Sequence, residues 1–175
     1  LEPKPANDRN GRFFYGGLLH PELTYSDYFL DGALDAYPID LFGLFDGYRD
    51  PQSKVSALAD RRSSVTYNGY APGGDTFLSM LRNYAFSIVL WAPTRESTHF
   101  AAPNKFFDAI QAGVPVICAP HPLCKRLVNR YKCGIVARSW RQDDIVAAVS
   151  EALRTYATLS YEETIEKHLP IARAE

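Results

Sequence analysis

The run AFSIVLWAP, residues 85–93, limits the fold more than any other stretch of the chain. It is almost continuously apolar, without alternation of inward and outward positions, so a strand formed there is covered on both faces. Strands covered on both faces belong to parallel sheets, whose neighbours are joined by crossovers, usually helical. The rest of the chain has the matching rhythm. Residues 12–19 (RFFYGGLL), 39–46 (IDLFGLFD), 64–70 (SVTYNGY), 114–119 (VPVICA) and 134–137 (GIVA) are further short strand-like runs. Between them lie helical patterns at 22–37, 52–60, 73–84, 101–112, 123–131 and 142–157, with a terminal helix at 161–168. The first places Leu23, Tyr25, Tyr28, Phe29 and Leu34 at helical spacings, interrupted by Gly32, and the sixth places Ile145, Val146, Val149 and Leu153 at core spacing.

Six strands alternating with helices predict an α/β fold: a doubly wound, Rossmann-like parallel six-stranded sheet with helices on both faces. At 175 residues there is room for one well-filled core and not for two. Residues 1–11, rich in Pro and polar groups, read as linker. Residues 12–155 form the domain, and 156–175 a carboxy-terminal helical segment of the same domain. Because the chain opens on Leu1 rather than Met, it reads as a piece of a longer protein.

Composition removes several classes of partner. Nineteen Lys and Arg against twenty Asp and Glu, scattered along the chain, offer no basic face for nucleic acid or anionic lipid. No apolar run approaches the roughly 20 residues of a transmembrane helix, and no signal peptide opens the chain. The three cysteines, Cys118, Cys124 and Cys133, lack Cys-x-x-Cys spacing and suit free thiols in a reducing compartment. The expected setting is cytoplasmic, with a peripheral position at the inner membrane face as a variant of it. No metal site is expected, because Cys118, His121 and Cys124 follow a buried strand and fit packing and capping better than ligation.

In an open parallel sheet the ligand crevice lies beyond the carboxyl ends of the strands, where the strand order reverses. The residues just after each strand are therefore the candidates. After the first come Tyr15, Gly16, Gly17 and His20; after the third, Asn68, Gly69, Tyr70, Ala71 and Pro72; after the fourth, residues 93–105, with Asp108 one turn further. Gly16-Gly17 lacks both the dinucleotide fingerprint and the P-loop Lys-Ser/Thr, and is a tight turn or a place where backbone N–H groups approach a phosphate. The segment APNKFFDAIQAGVPVICAP, residues 101–119, raises the second reading. A helix starting near Pro103 turns its unpaired N–H groups toward the crevice, and Lys105 adds a full charge. Lys105 and Asp108 are three apart and share a face, while Phe106, Phe107 and Ile110 turn to the sheet. As a bare pair Lys105 and Asp108 are worth only about 0.2–0.5 kcal/mol; the order that follows, Ala112-Gly113 closing the helix and Pro115-Val116-Ile117 opening a strand, is more specific.

These residues resemble the carboxy-terminal, nucleotide-sugar-binding domain of glycogen-synthase-like glycosyltransferases of GT-B fold. Pro103, Lys105, Asp108, Gln111, Gly113, Pro115, Val116 and Ile117 are similar to the family's Pro-x-Lys-x-x-Glu-x-x-Ala-x-Gly-x-Pro-Val-Val pattern, and Tyr67-Asn68-Gly69-Tyr70 to its aromatic-x-Gly-x motif. LRNYAFSIVLWAP is similar to the family's following helix end and strand, so the likeness covers most of residues 12–155. It implies that Asp108 accepts hydrogen bonds from the two ribose hydroxyls, as an acceptor-only carboxylate suits. It further implies that Asn68, Gly69, Tyr70 and Ala71 border the base, and that the diphosphate lies over Gly16, Gly17 and the helix start near Thr98, Phe100 and Ala101. Lys105 is a phosphate or ribose-side contact. Where many relatives carry a first glutamate, eight positions before the second, this chain has Phe100, with His99 beside it.

The implied donor is a nucleoside-diphosphate sugar, UDP or GDP, with no tightly bound cofactor. The implied reaction is sugar transfer to a glycan or lipid-linked saccharide in polysaccharide biosynthesis, with Lys105 and His99 as catalytic candidates against the leaving diphosphate. The partner is the amino-terminal acceptor-binding half, without which this half is expected to bind donor weakly and not to turn over. Three alternatives stay open: a UDP-GlcNAc 2-epimerase-like enzyme, a non-catalytic nucleotide-sugar-binding scaffold, and a receiver-like module, for which Asp46 is the relevant acid.

Overall fold

The structure is a computed structural model and describes residues 4–5, 8–61, 63–101 and 103–155. Six strands form one all-parallel sheet: β1 (Phe13–Leu19), β2 (Ile39–Phe45), β3 (Val65–Tyr67), β4 (Phe86–Val89), β5 (Val116–Cys118) and β6 (Gly134–Val136). Their spatial order is β3-β2-β1-β4-β5-β6, so the order reverses between β1 and β4. This is the Rossmann arrangement expected from the continuous apolar runs, and it differs from the flavodoxin-like order of receiver modules.

Seven helices are described: α1 (Asp27–Leu30), α2 (Pro51–Asp60), α3 (Gly74–Leu81), α4 (Glu96–His99), α5 (Asn104–Gln111), α6 (Pro122–Tyr131) and α7 (Gln142–Thr155). Adjacent residues of β1 feed opposite faces. Phe13 and Tyr15 join a core with Phe29, Leu58 and Val149, from α1, α2 and α7. Phe14 joins Leu81, Phe106, Ile110 and Leu127, from α3, α5 and α6. Each aromatic so buried contributes about 1.5–3 kcal/mol, and Phe14 stacks on Phe42 at 5.4 Å between ring centroids.

Four expectations are corrected. The helix drawn over 22–37 is one short turn, because Tyr25 (φ 51°) and Gly32 (φ 100°) take left-handed backbone on either side of it. The helix drawn over 101–112 begins only at Asn104, as α5, with extended Pro103 (ψ 135°) as its N-cap, and a separate four-residue helix, α4, precedes it. Within α5, Phe106 and Ile110 are buried whereas Phe107 is 37% exposed, since consecutive helical residues point about 100° apart. Leu153 is likewise exposed, and Ala148 and Ala152 supply the buried positions of α7. The terminal helix expected at 161–168 lies outside the described residues.

Ahead of β1, Arg9 is buried and donates to the carbonyls of Lys4 and Gly113 at 2.7 and 2.9 Å, joining Lys4 and Arg9 to the amino edge of the sheet.

Candidate functional site

The reversal between β1 and β4 leaves a crevice beside the carboxyl half of β1, where Gly16 and Gly17 lie within the strand, in register with Phe42 and Gly43 of β2, and not in the tight turn that the sequence also allowed. Gly17 (φ 121°) pairs in register with Gly43 (φ 137°) of β2, both in backbone that side chains rarely adopt. A Cβ on Gly17 would lie 2.7 Å from Cε and 2.9 Å from Nζ of Lys105. The missing side chain is thus the space that the lysine fills. Lys105 comes from the first turn of α5 and passes over Gly17 until its ammonium stands 4.7 Å from the centroid of the Tyr15 ring. That cation–π contact is its only polar partner among the described residues. The residue keeps some exposure along its length, but burial around the ammonium pulls its pKa down to about 8.

Asp108, one turn further along α5, faces the same space, and burial raises its pKa. The two charges do not pair with each other. Both line a cavity of about 250 Å³ with Gly16, Gly17, Ala71 and Pro72. The floor is apolar, made by Phe14 and Ile88 of the sheet and Phe77 and Leu81 of α3. The sequence carries Phe77 and Leu81 as one face of a core helix, and nothing in their spacing separates core from cavity wall.

The other candidates fall into two groups beside this cavity. Asn68, Gly69 and Tyr70 form the loop after β3. The Gly69 carbonyl accepts from Gly43 N–H at 2.7 Å, Asn68 N–H donates to Leu41, and the Tyr70 ring is 72% exposed. Thr98, His99, Phe100 and Ala101 belong to α4 and its exit. The Thr98 hydroxyl is engaged in its own turn, accepting from Arg95 N–H and donating to Arg95 C=O, both at 2.9 Å. Its carbonyl accepts from Trp91 Nε1–H at 2.7 Å. His99 packs edge-on against Phe100, whose ring is 58% exposed. Neither group lines the cavity; of the candidates, Gly16, Gly17, Ala71, Pro72, Lys105 and Asp108 meet there.

A third cluster, absent from the sequence reading as a functional group, supports α4 from below. His121, expected to pack and cap, is fully buried at the N-cap of α6 and stacks on Trp91 with centroids 3.4 Å apart, beside Trp140. Burial lowers its pKa. Cys118, Cys124 and Cys133 are buried free thiols, and no metal-ligating group of three is present among the described residues.

A buried cation with no ionic partner among the described residues, a carboxylate and a pair of strand glycines thus stand together at the switch point of a Rossmann sheet, the place where open α/β sheets bind their ligands. Solved structures carry the same fold. No family model matches the chain, and no curated protein matches it. The glycosyltransferase AviGT4, involved in avilamycin A biosynthesis, superposes with a TM-score of 0.56 at 16% identity, over 98% of this chain and 53% of that one. A T4 phage BGT mutant in complex with UDP-glucose gives 0.54 at 8% identity, over 99% and 48%. The Methanocaldococcus jannaschii UDP-GlcNAc 2-epimerase, in complex with UDP-GlcNAc and UDP, gives 0.50 at 11% identity, over 97% and 47%. The chain spans about half the length of these proteins, and its fold is that of one Rossmann-like half of the GT-B architecture.

Proposed function

We propose that this chain is the donor-binding half of a glycosyltransferase, taking a nucleoside-diphosphate sugar at the crevice between β1 and β4. One observation carries the reading: Lys105 is held over Gly17 with no acidic partner among the described residues, in the cavity that Asp108 also lines. A buried cation without a counter-ion favours an anionic ligand, and a diphosphate laid over Gly16-Gly17 supplies one. Asp108 accepts from the ribose diol, exchanging water for two hydroxyl donors. The loop Asn68–Ala71 borders the base, and the α4 turn with His99 and Phe100 lies on the sugar side. Lys105 and the N–H groups opening α5 stabilise charge on the departing diphosphate, the main electrostatic demand of the transfer. The acceptor, a glycan or lipid-linked saccharide, comes from a second half facing this edge.

Titration of UDP- and GDP-sugars against the wild-type chain and Asp108→Ala tests the assignment. Loss of a hydrogen bond to a charged group costs about 1.5–3 kcal/mol, so affinity should fall roughly 10- to 100-fold. Equal affinity in the two proteins rejects the ribose role. The likeness to the UDP-GlcNAc 2-epimerase supports a second reading on the same site, epimerisation of a bound UDP-sugar, recognised by a changed sugar with no acceptor present.

A further inference from the structure

We propose that His121 is a positioning residue of this crevice, tying the α4 turn to the end of β4, with Trp140 setting the tautomer in which it does so. Its function in binding rests on the nucleotide-sugar reading; its hydrogen-bond state does not. Three polar groups meet the two ring nitrogens: His99 C=O lies 3.2 Å from Nδ1, Trp91 C=O lies 3.0 Å from Nε2, and Trp140 Nε1–H points at Nε2 from 3.2 Å. A neutral imidazole has one N–H and one lone pair. With the proton on Nδ1, the ring donates to His99 and accepts from Trp140, making two contacts; it turns a lone pair to the Trp91 carbonyl and holds Trp91, at the end of β4, by ring stacking alone. With the proton on Nε2, it serves Trp91 alone and sets two N–H groups against each other. Trp140 therefore selects the Nδ1–H form, and that form holds the carbonyl of the residue that joins Thr98 to Phe100.

Only the doubly protonated ring donates to both carbonyls, and it must release Trp140. Trp140 is anchored through its own carbonyl by Tyr28 Oη–H at 3.0 Å, so a proton taken up at His121 reaches the segment ahead of α7. The titratable group facing the ring is His99, 6.3 Å away between centroids. Of the charged residues on adjoining segments, Arg95, Glu96, Lys125, Arg126 and Arg141 are exposed, and Arg138 is paired with Asp144. Burial and His99 both oppose the cation, which forms below the ordinary histidine range.

Nitrogen-15 NMR of the ligand-free chain decides the tautomer. At pH 7 the expected state is protonated Nδ1 and lone-pair Nε2, with a downfield Trp140 indole proton; on acidification both signals should move at one shared midpoint. A protonated Nε2 at neutral pH, or a Trp140 signal indifferent to the titration of His121, overturns the proposal. Trp140→Phe, which keeps an aromatic ring, should mix the tautomers and reduce the preference for UDP-glucose over UDP about 5-fold, the worth of one neutral hydrogen bond. Mixed tautomers with an unchanged preference also overturn the positioning role. If neither protein binds nucleotide, the donor-binding reading falls, and with it the positioning role in binding, while the spectra still decide the tautomer.

Discussion

Lys105 and Asp108 are one helical turn apart on α5, yet burial pushes each toward its neutral form instead of the two neutralising each other. The lysine sets a pH signature. In the free chain it titrates near 8, against 10.5 in an unfolded chain, so in that window the unfolded state holds the proton and the folded state does not. The Lys105 contribution therefore makes stability rise with pH from about 8 toward 10.5, with the penalty for burying the charge fully present below 8. A bound diphosphate acts in the opposite sense, because it restores the charge and must take up a proton to do so. Nucleoside-diphosphate affinity should thus weaken as pH rises through about 8, approaching tenfold per unit, and be insensitive to this group below it. Calorimetric titration between about pH 7.5 and 9 reads the slope. Lys105→Met should bind roughly 10- to 100-fold more weakly and remove the Lys105 part of the slope. A wild-type affinity flat across that range excludes Lys105 from the phosphate site.

Strands β1 and β2 carry a pair of facing glycines, Gly17 and Gly43, and their substitution separates fold from site. A Cβ on Gly43 would run into the backbone carbonyl of Gly17, and φ 137° disfavours any side chain there. Gly43→Ala should lower stability by about 2–4 kcal/mol, through strain and a forced separation of β1 from β2, read by chemical denaturation. Gly17→Ala meets the movable end of Lys105, so its larger effect should be on nucleotide affinity, with a smaller loss of stability of about 1–3 kcal/mol from φ 121°. A Gly17→Ala chain binding as tightly as wild type would show that the lysine need not lie over Gly17. The same strands mark what the sequence makes legible. Runs such as FSIV of β4 are apolar at every position, and that signal survives because both faces are covered. Helix limits were less legible where backbone angles decide them. Tyr25 in left-handed backbone carries no compositional mark, and the extended Pro103 that parts α4 from α5 is equally at home inside a first turn. Of the site, Gly16, Gly17, Lys105 and Asp108 could be found because the glycine pair interrupts an apolar run and the Lys-Asp pair shares one face of the helix that opens at Pro103. The Trp91–His121–Trp140 cluster joins three segments distant in sequence, and no local pattern announces it.

At the scale of the molecule, every candidate group comes from one edge of one sheet. Beside the cavity, Tyr70 and Phe100 are 72% and 58% exposed, so the rim presents aromatic rings outward next to an apolar floor. In the proposed reading this edge holds the donor through phosphate, ribose and base, and the acceptor hydroxyl comes from a second half. Binding and transfer should therefore separate in this chain. A ligand that binds only the folded state stabilises it by about 2.7 kcal/mol at one hundred times its dissociation constant, raising the melting temperature by roughly 2–6 °C in a domain of this size. UDP-glucose or its GDP counterpart should produce that shift, and Asp108→Ala should reduce it. In the same samples, release of free nucleotide should stay at the rate of the sugar nucleotide alone, since groups that only stabilise the leaving diphosphate do not supply a positioned nucleophile. Release of nucleotide well above that rate by the chain alone would mean that this edge already contains a complete reaction centre, and His99, at the exit of α4 beside Phe100, would be the first residue to replace.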